Sequence, residues 1–254
     1  MAGVADRRAA FRALHETGCF VLPNPWDVGS ARRLAGLGFP ALASTSWGAA
    51  VAMGLSDGQL SRDAALAHLA MLVQATELPV NADFEAGFAD APDQAAANAV
   101  LAADTGVAGL SIEDRTGGTL YDFDLAVARI RAVRAALDPA VMLIARTEGY
   151  LVGRPDRAET IRRMTAFAEA GADCLYAPGM SDLGDIAALV QAVAPKPVNV
   201  LLWGDAFTVA DVAAIGVRRV STGSALARAA WDGFDAAAAA LADQAKDGSA
   251  SRSA

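Results

Sequence analysis

The sequence predicts an α/β chain folded as a single (β/α)8 TIM barrel, and three observations carry that prediction. Eight short apolar runs alternate with longer amphipathic stretches from residue 19 onward. Most of the runs are rich in Val, Ile or Leu and read as buried on both faces, as parallel strands covered by helices are. The chain has 254 residues, close to the roughly 250 that eight strand–helix units need. A doubly wound open sheet is the alternative. No GxGxxG follows the first run, which removes the usual dinucleotide argument for it.

The eight runs lie at residues 19–24, 41–46, 79–85, 109–114, 141–148, 174–178, 197–203 and 218–223. Stretches such as 62–76, 93–105, 122–137 and 156–170 supply helices between them. Gly38, Gly106, Gly171 and Gly216 stand where a helix end hands over to the next strand. The alanine-rich segment 225–242 forms a last helix, packed on its own barrel or on a neighbouring subunit. No interdomain linker interrupts the pattern, so one domain is expected over residues 1–245. The small polar stretch 246–254 is expected as a flexible tail.

Lys and Arg number 21 against 29 Asp and Glu, a net charge of −8. That balance argues against a nucleic-acid-coating surface, which needs clustered cations. Small anions stay open as ligands, because a local Arg or a bound cation reverses the field inside a cleft. Cys19 and Cys174 show no CxxC or Cys/His spacing, so neither a disulfide framework nor a thiolate zinc site is expected. With no apolar leader and no uncharged run of about 18 apolar residues, no membrane partner is expected either. The expected compartment is the cytoplasm.

In such a barrel the chemistry sits at the C-terminal ends of the strands. The first strand leads into Asn24-Pro25-Trp26-Asp27, and the second ends in Ser44-Thr45-Ser46-Trp47-Gly48. The third ends in Asp83-Phe84-Glu85-Ala86-Gly87, the fourth in Ile112-Glu113-Asp114, the fifth in Ala145-Arg146-Thr147-Glu148. Asp83 and Glu85 are two apart and share one face if the strand stays extended. With Glu113 one strand over, these carboxylates repel unless protonated or bridged by a cation. Their oxygen-only donors suit Mg²⁺, with Mn²⁺ as the alternative; singly, each acid equally suits a helix cap or a rim ion pair.

Arg146 closes a strongly apolar run and must be paired. Its fork suits a carboxylate or phosphonate, or a structural ion pair with Glu113 or Glu148. Thr45, Ser46 and the amides up to Gly48 either cradle an anionic oxygen or simply cap a helix. His15 and His68 read as surface or packing residues, and Cys174 as core. That leaves Ser–His and Cys–His nucleophiles with little support.

These motifs, in this order, resemble the isocitrate lyase/phosphoenolpyruvate mutase superfamily over residues 18–230. The resemblance implies a (β/α)8 barrel whose last helix is often exchanged between subunits, in a homo-oligomeric dimer or tetramer. It also implies Mg²⁺ holding the carboxylate and carbonyl oxygens of a small-molecule 2-oxo acid. Asp83 matches the principal metal-binding acid, Glu85 the second acid of that pair, and Glu113 an acid reached through metal-bound water. Arg146 matches the Arg that grips the substrate carboxylate. Ser46 matches the Ser of a turn holding substrate oxygens, which also places Trp47 and Gly48 at the substrate. Asp27 matches an acid with a catalytic or water-orienting role in some members, so Asp27, Glu113 and Arg146 are expected to do the chemistry.

The departures narrow the expectation. The lyases' Cys- and His-bearing loop is replaced here by the short Arg115-Thr116-Gly117-Gly118-Thr119-Leu120-Tyr121 segment. Trp47 takes the place of the Gly after Ser46, and Leu201-Leu202-Trp203-Gly204 replaces the Asn-Met-Thr-Glu run of the lyases' seventh strand. A metal that polarises a 2-oxo acid, together with an Arg clamp, supports decarboxylation without a Cys acid. The expected activity is a Mg²⁺-dependent lyase working through an enolate, with oxaloacetate decarboxylation as the specific case. P–C chemistry, as phosphonopyruvate hydrolysis or a phosphonomutase reaction, is the first alternative. A barrel that binds a metal–oxo-acid complex without turnover is the second.

Overall fold

Each predicted apolar run forms a strand in the computed structural model, which describes residues 3–250. The first four are β1 (Phe20–Leu22), β2 (Leu42–Ala43), β3 (Val80–Asp83) and β4 (Gly109–Glu113). A small antiparallel hairpin follows, β5 (Arg115–Thr116) and β6 (Thr119–Leu120). The remaining four are β7 (Met142–Arg146), β8 (Cys174–Tyr176), β9 (Val198–Leu201) and β10 (Arg219–Ser221). The eight long-range strands pair in parallel in the order β1-β10-β9-β8-β7-β4-β3-β2. At the joint between β1 and β2, Ala43 N–H donates to Pro23 O, and Asn24 Nδ2 donates to Ser44 O. The sheet is therefore an almost closed barrel.

Successive residues along each strand point alternately inward and outward. Outward residues such as Val80, Leu110, Leu143, Leu175 and Val198 pack on the surrounding helices. Those helices are α1 (Val4–Ala13), α2 (Val28–Gly36), α3 (Ser46–Ala52), α4 (Arg62–Ala75) and α5 (Pro92–Asp104). They continue with α6 (Phe123–Ala136), α7 (Arg157–Glu169), α8 (Leu183–Val193), α9 (Val209–Ala214) and α10 (Ala225–Ala250). Inward residues, among them Leu22, Ala43, Met142, Ile144 and Cys174, form a separate apolar cluster inside the barrel. The four helix-closing glycines are all left-handed, with φ between 86° at Gly38 and 104° at Gly171.

One element lies before the predicted repeat. Helix α1 closes the barrel's N-terminal end, with Phe11 fully buried in the inner cluster. Its arginines hold it there. Arg7 donates to the carbonyls of Val73 and Thr76 at the end of α4, and Arg8 to those of Ala103 and Val107 at the end of α5. Guanidinium groups suit these helix C-termini, whose last carbonyls lack intrahelical partners. Helix α10 runs through residues 246–250, the start of the segment expected as a tail; residues 251–254 lie outside the described residues. From Asp232 to Lys246 its side chains are exposed, Phe234 and Leu241 included. Among the described residues, no helix is long and apolar enough to cross a membrane.

His15, just past α1, lies edge-on to Phe11 and Phe20 and bonds Phe11 O through Nδ1 at 2.8 Å. Burial, helped by nearby Arg219, pushes its pKa from 6.5 down to about 3. The unfolded chain therefore takes up this proton at a higher pH than the folded one, and stability falls as pH drops from 6.5 towards 3. Between pH 7 and pH 4 this group alone removes about 3 kcal/mol. Urea unfolding of the natural protein should lose that much more over the interval than unfolding of His15→Gln. Equal losses in the two proteins would show that His15 titrates normally.

Candidate active site

The register of the sheet brings the rim acids to the barrel's C-terminal mouth. Glu113 stands opposite Arg146 across β4 and β7, and Arg146 opposite Tyr176 across β7 and β8. Asp83 ends β3, paired with Ser111 of β4. Together they line a cavity of about 290 Å³ with Ser46, Trp47, Arg115 and Glu148.

Arg146 is the hub. Its Nη1 lies 2.7 Å from Asp83 Oδ1, and its Nη2 lies 2.9 Å from Glu148 Oε1 and 3.3 Å from Glu113 Oε2. Of the two readings of this residue, the ion pair expected with Glu113 or Glu148 is made with both. Three acids hold its pKa well above the ordinary value despite burial. Asp83 Oδ2 accepts from both the amide and the hydroxyl of Ser46, at 2.9 Å each. Asp114 faces away from the cavity and fixes the far acid. Its Oδ1 accepts from Glu148 N–H, and its Oδ2 accepts from Thr147 Oγ1 and the buried Arg163.

Glu85 departs from the sequence expectation. Strand β3 stops at Asp83, and Glu85 takes a left-handed backbone with φ 47°. It does not share an extended face with Asp83, because the side-chain alternation of a strand ends where the chain leaves the extended region. The turn is pinned from behind by buried Arg129, whose Nη groups donate to the carbonyls of Ala86, Ala89 and Asp90. Asn98 Nδ2 donates to Gly87 O at 2.9 Å. Glu85 opens instead on an adjoining cleft with Glu113, Arg115 and Asp57. Burial there, with Asp83 nearby, pushes its pKa up to about 7, and its Oε1 has no hydrogen-bond partner.

Asp27 is not brought into the cavity. Its carboxylate caps α2, accepting from the Ser30 amide at 2.6 Å and from the Ser30 hydroxyl. Nor do the amides of the Ser44–Gly48 turn form an open cradle. Ser46 N–H is committed to Asp83, and Gly48 N–H to the Thr45 hydroxyl that caps α3. Gly48 is buried, and a Cβ there would stand 2.8 Å from that of Trp26, so its place is at a close packing contact. His68 is buried, with Nε2 2.9 Å from Trp26 O. Asp57, Tyr176, Arg219 and Arg228 are among the cavity residues not singled out from the sequence as site candidates.

The donor set fits Mg²⁺ in its chemistry. Asp83, Glu85 and Glu113 offer only oxygens, burial raises the pKa of both glutamates, and Glu85 Oε1 lacks a partner. Among the described residues, no three His, Cys, Asp or Glu side chains converge as direct ligands. Mg²⁺ commonly keeps several waters and takes one or two carboxylates. Asp83 would hold the ion directly, with Glu85 and Glu113 acting through water.

The model of the phosphoenolpyruvate phosphomutase family matches residues 11–242. The chain belongs to that family. It is 38% identical over 217 residues to an uncharacterized protein of Mycobacterium tuberculosis (strain ATCC 25618 / H37Rv), covering 85% of this chain and 82% of the relative. A solved structure from Burkholderia cenocepacia J2315, described as a lyase/mutase, is 49% identical and superposes with a TM-score of 0.89. That match covers 93% of this chain and 87% of the other. The oxaloacetate decarboxylase of Pseudomonas aeruginosa (strain LESB58) is 31% identical over 246 residues, covering 87% of this chain and 80% of the enzyme. The superfamily of phosphoenolpyruvate mutases and isocitrate lyases consists of enzymes that are typically metal-dependent. The barrel expected from the resemblance is the fold found.

Proposed function

We propose that the protein is a Mg²⁺-dependent lyase acting on a small 2-oxo dicarboxylic acid, with oxaloacetate decarboxylation as its reaction. The observation that carries this reading is the single guanidinium of Arg146, shared by Asp83, Glu113 and Glu148 at the cavity mouth. Bound there, Mg²⁺ would supply Lewis-acid polarisation of the 2-oxo group. Arg146 then grips the adjacent carboxylate, and Ser46 Oγ fixes Asp83 in place. The C3–C4 bond breaks with its electron pair left on the 2-oxo fragment as CO₂ departs, and a proton is delivered to C3. The β5–β6 hairpin over this rim carries neither Cys nor His, which suits a reaction needing no dedicated acid of that type. The likeness to an oxaloacetate decarboxylase supports the choice of substrate. Asp27, held in its cap, leaves P–C hydrolysis without the residue expected to position a nucleophile.

The test is an NMR product scan over oxaloacetate, phosphonopyruvate, 2-methylisocitrate and substituted malates, with Mg²⁺ and with EDTA. Pyruvate from oxaloacetate, lost on chelation, is the expected result. Phosphate from phosphonopyruvate alone would replace it with P–C chemistry, and oxalate binding without any turnover with a purely binding barrel. We further propose that the protein is a homo-oligomer joined through α10, whose Phe234 and Leu241 are about two-thirds exposed on one chain. Light scattering after gel filtration should give a multiple of 25.9 kDa; a monomer at every concentration would refute this.

A further inference from the structure

The cavity is polarised. Of the four arginines lining it, Arg115 and Arg146 are committed to carboxylates of the β3–β4–β7 side. The other two, Arg219 and Arg228, come from β10 and the start of α10. Neither has a carboxylate partner among the described residues. Arg219 is 2% exposed and donates through Nε to Asn199 Oδ1 at 3.0 Å. Arg228 donates through Nε to Ser224 Oγ at 3.0 Å. Its guanidinium carbon lies 4.0 Å from the Trp47 ring centroid and 5.7 Å from that of Trp203.

Those two tryptophans are the positions at which the sequence leaves the superfamily pattern on strands two and seven. They meet at one guanidinium, on opposite sides of the chain's linear order. Trp203 is 54% exposed, a costly place for an indole with no purpose at the mouth of a polar cavity. A guanidinium held by aromatic faces keeps its N–H edge free, and that edge matches a planar dianion.

We propose that Arg228, held by Trp47 and Trp203, is the specificity determinant of this cavity. It binds the second anionic group, carboxylate or phosphonate, of a 2-oxo acid whose first carboxylate lies at Arg146. The proposal rests on the lyase reading and adds to it the reason for selecting two-headed acids over pyruvate-like ones.

The experiment is calorimetric titration of the Mg²⁺-loaded full chain with oxalate, 3,3-difluorooxaloacetate and phosphonopyruvate. Arg228→Gln should weaken difluorooxaloacetate at least tenfold and leave oxalate, which has no distal group, within twofold. Arg228→Lys should recover part of the loss, and phosphonopyruvate tells which head group the site prefers. Equal weakening of oxalate and difluorooxaloacetate, or no weakening of either, would overturn the proposal. If the natural protein binds no oxalate, the lyase reading fails on its own. Tryptophan fluorescence with metal-free malonate then decides for Arg228: quenching lost in Arg228→Gln supports it, and a flat response in the natural protein refutes it.

Discussion

Arg146→Met should destabilise the protein by about 3–5 kcal/mol, the cost of stripping a buried charge cluster of one partner. The guanidinium is the shared counter-ion of three carboxylates within 3.3 Å. Methionine keeps an unbranched stem without the guanidinium and leaves Asp83, Glu113 and Glu148 facing one another. Burial already raises the pKa of both glutamates while Arg146 is present. Without it they must take up protons or separate, and either change distorts the cavity. Arg146→Lys should keep more of the stability, because a point charge remains, but an ammonium cannot span three acids at once. Turnover of oxaloacetate should fall by about 10²–10³ in both variants, the usual loss when one charged donor leaves a reacting oxygen. Urea midpoints together with kcat/KM separate the two effects. A Met variant with an unchanged midpoint would refute the counter-ion role of Arg146.

Asp83→Ala should abolish the response to Mg²⁺ and leave the fold standing. Arg146 keeps two of its three partners in that variant, Glu113 and Glu148. What disappears is the carboxylate to which Ser46 and Arg146 both point. A ligand bound only by the folded state stabilises it by about 2.7 kcal/mol at a hundred times its Kd. Mg²⁺ should therefore raise the thermal midpoint of the natural protein and not that of Asp83→Ala, with oxaloacetate turnover lost by about 10³ or more. Retention of the Mg²⁺ shift would move the ion away from β3, most directly to the Glu85–Glu113 cleft.

The barrel was legible because each β-strand is covered on both faces, which leaves a run of Val, Ile and Leu that few other settings produce. Helix α1 was not legible. Its apolar residues are mostly alanine, Phe11 is its one buried apolar side chain, and its anchoring comes from arginines meeting carbonyls of distant helices. At the site, Asp83, Glu113 and Arg146 fell where their strand ends predicted. Glu85 did not, because period-two reasoning assumes an extended backbone, and nothing in a glutamate announces φ 47°. Asp27 carried both meanings in its sequence. Three residues before Ser30 it has the spacing of a helix cap, and tertiary structure chose that use. The meeting of Trp47, Trp203 and Arg228 joins segments some 25 to 180 residues apart, a juxtaposition that only the folded chain displays.

Asn24 gives the barrel a clasp. Its Oδ1 accepts from the amides of Thr222 and Gly223, while its Nδ2 donates to Ser44 O. One side chain thus bridges β10's exit to β2's exit where Pro23 and Pro25, lacking N–H groups, prevent an ordinary ladder. Backbone crosses the joint through Ala43 N–H to Pro23 O, with no strand ladder beside it. Widening this joint breaks that bond and those of the Asn24 side chain but no sheet register, and the turn bearing Ser46 and Trp47 leaves from one lip while the segment bearing Arg228 leaves from the other. The two lips of the mouth are therefore joined without a strand ladder, unlike the other neighbouring strands of the barrel, and Ser46 ties one of them to Asp83 in the cluster around Arg146.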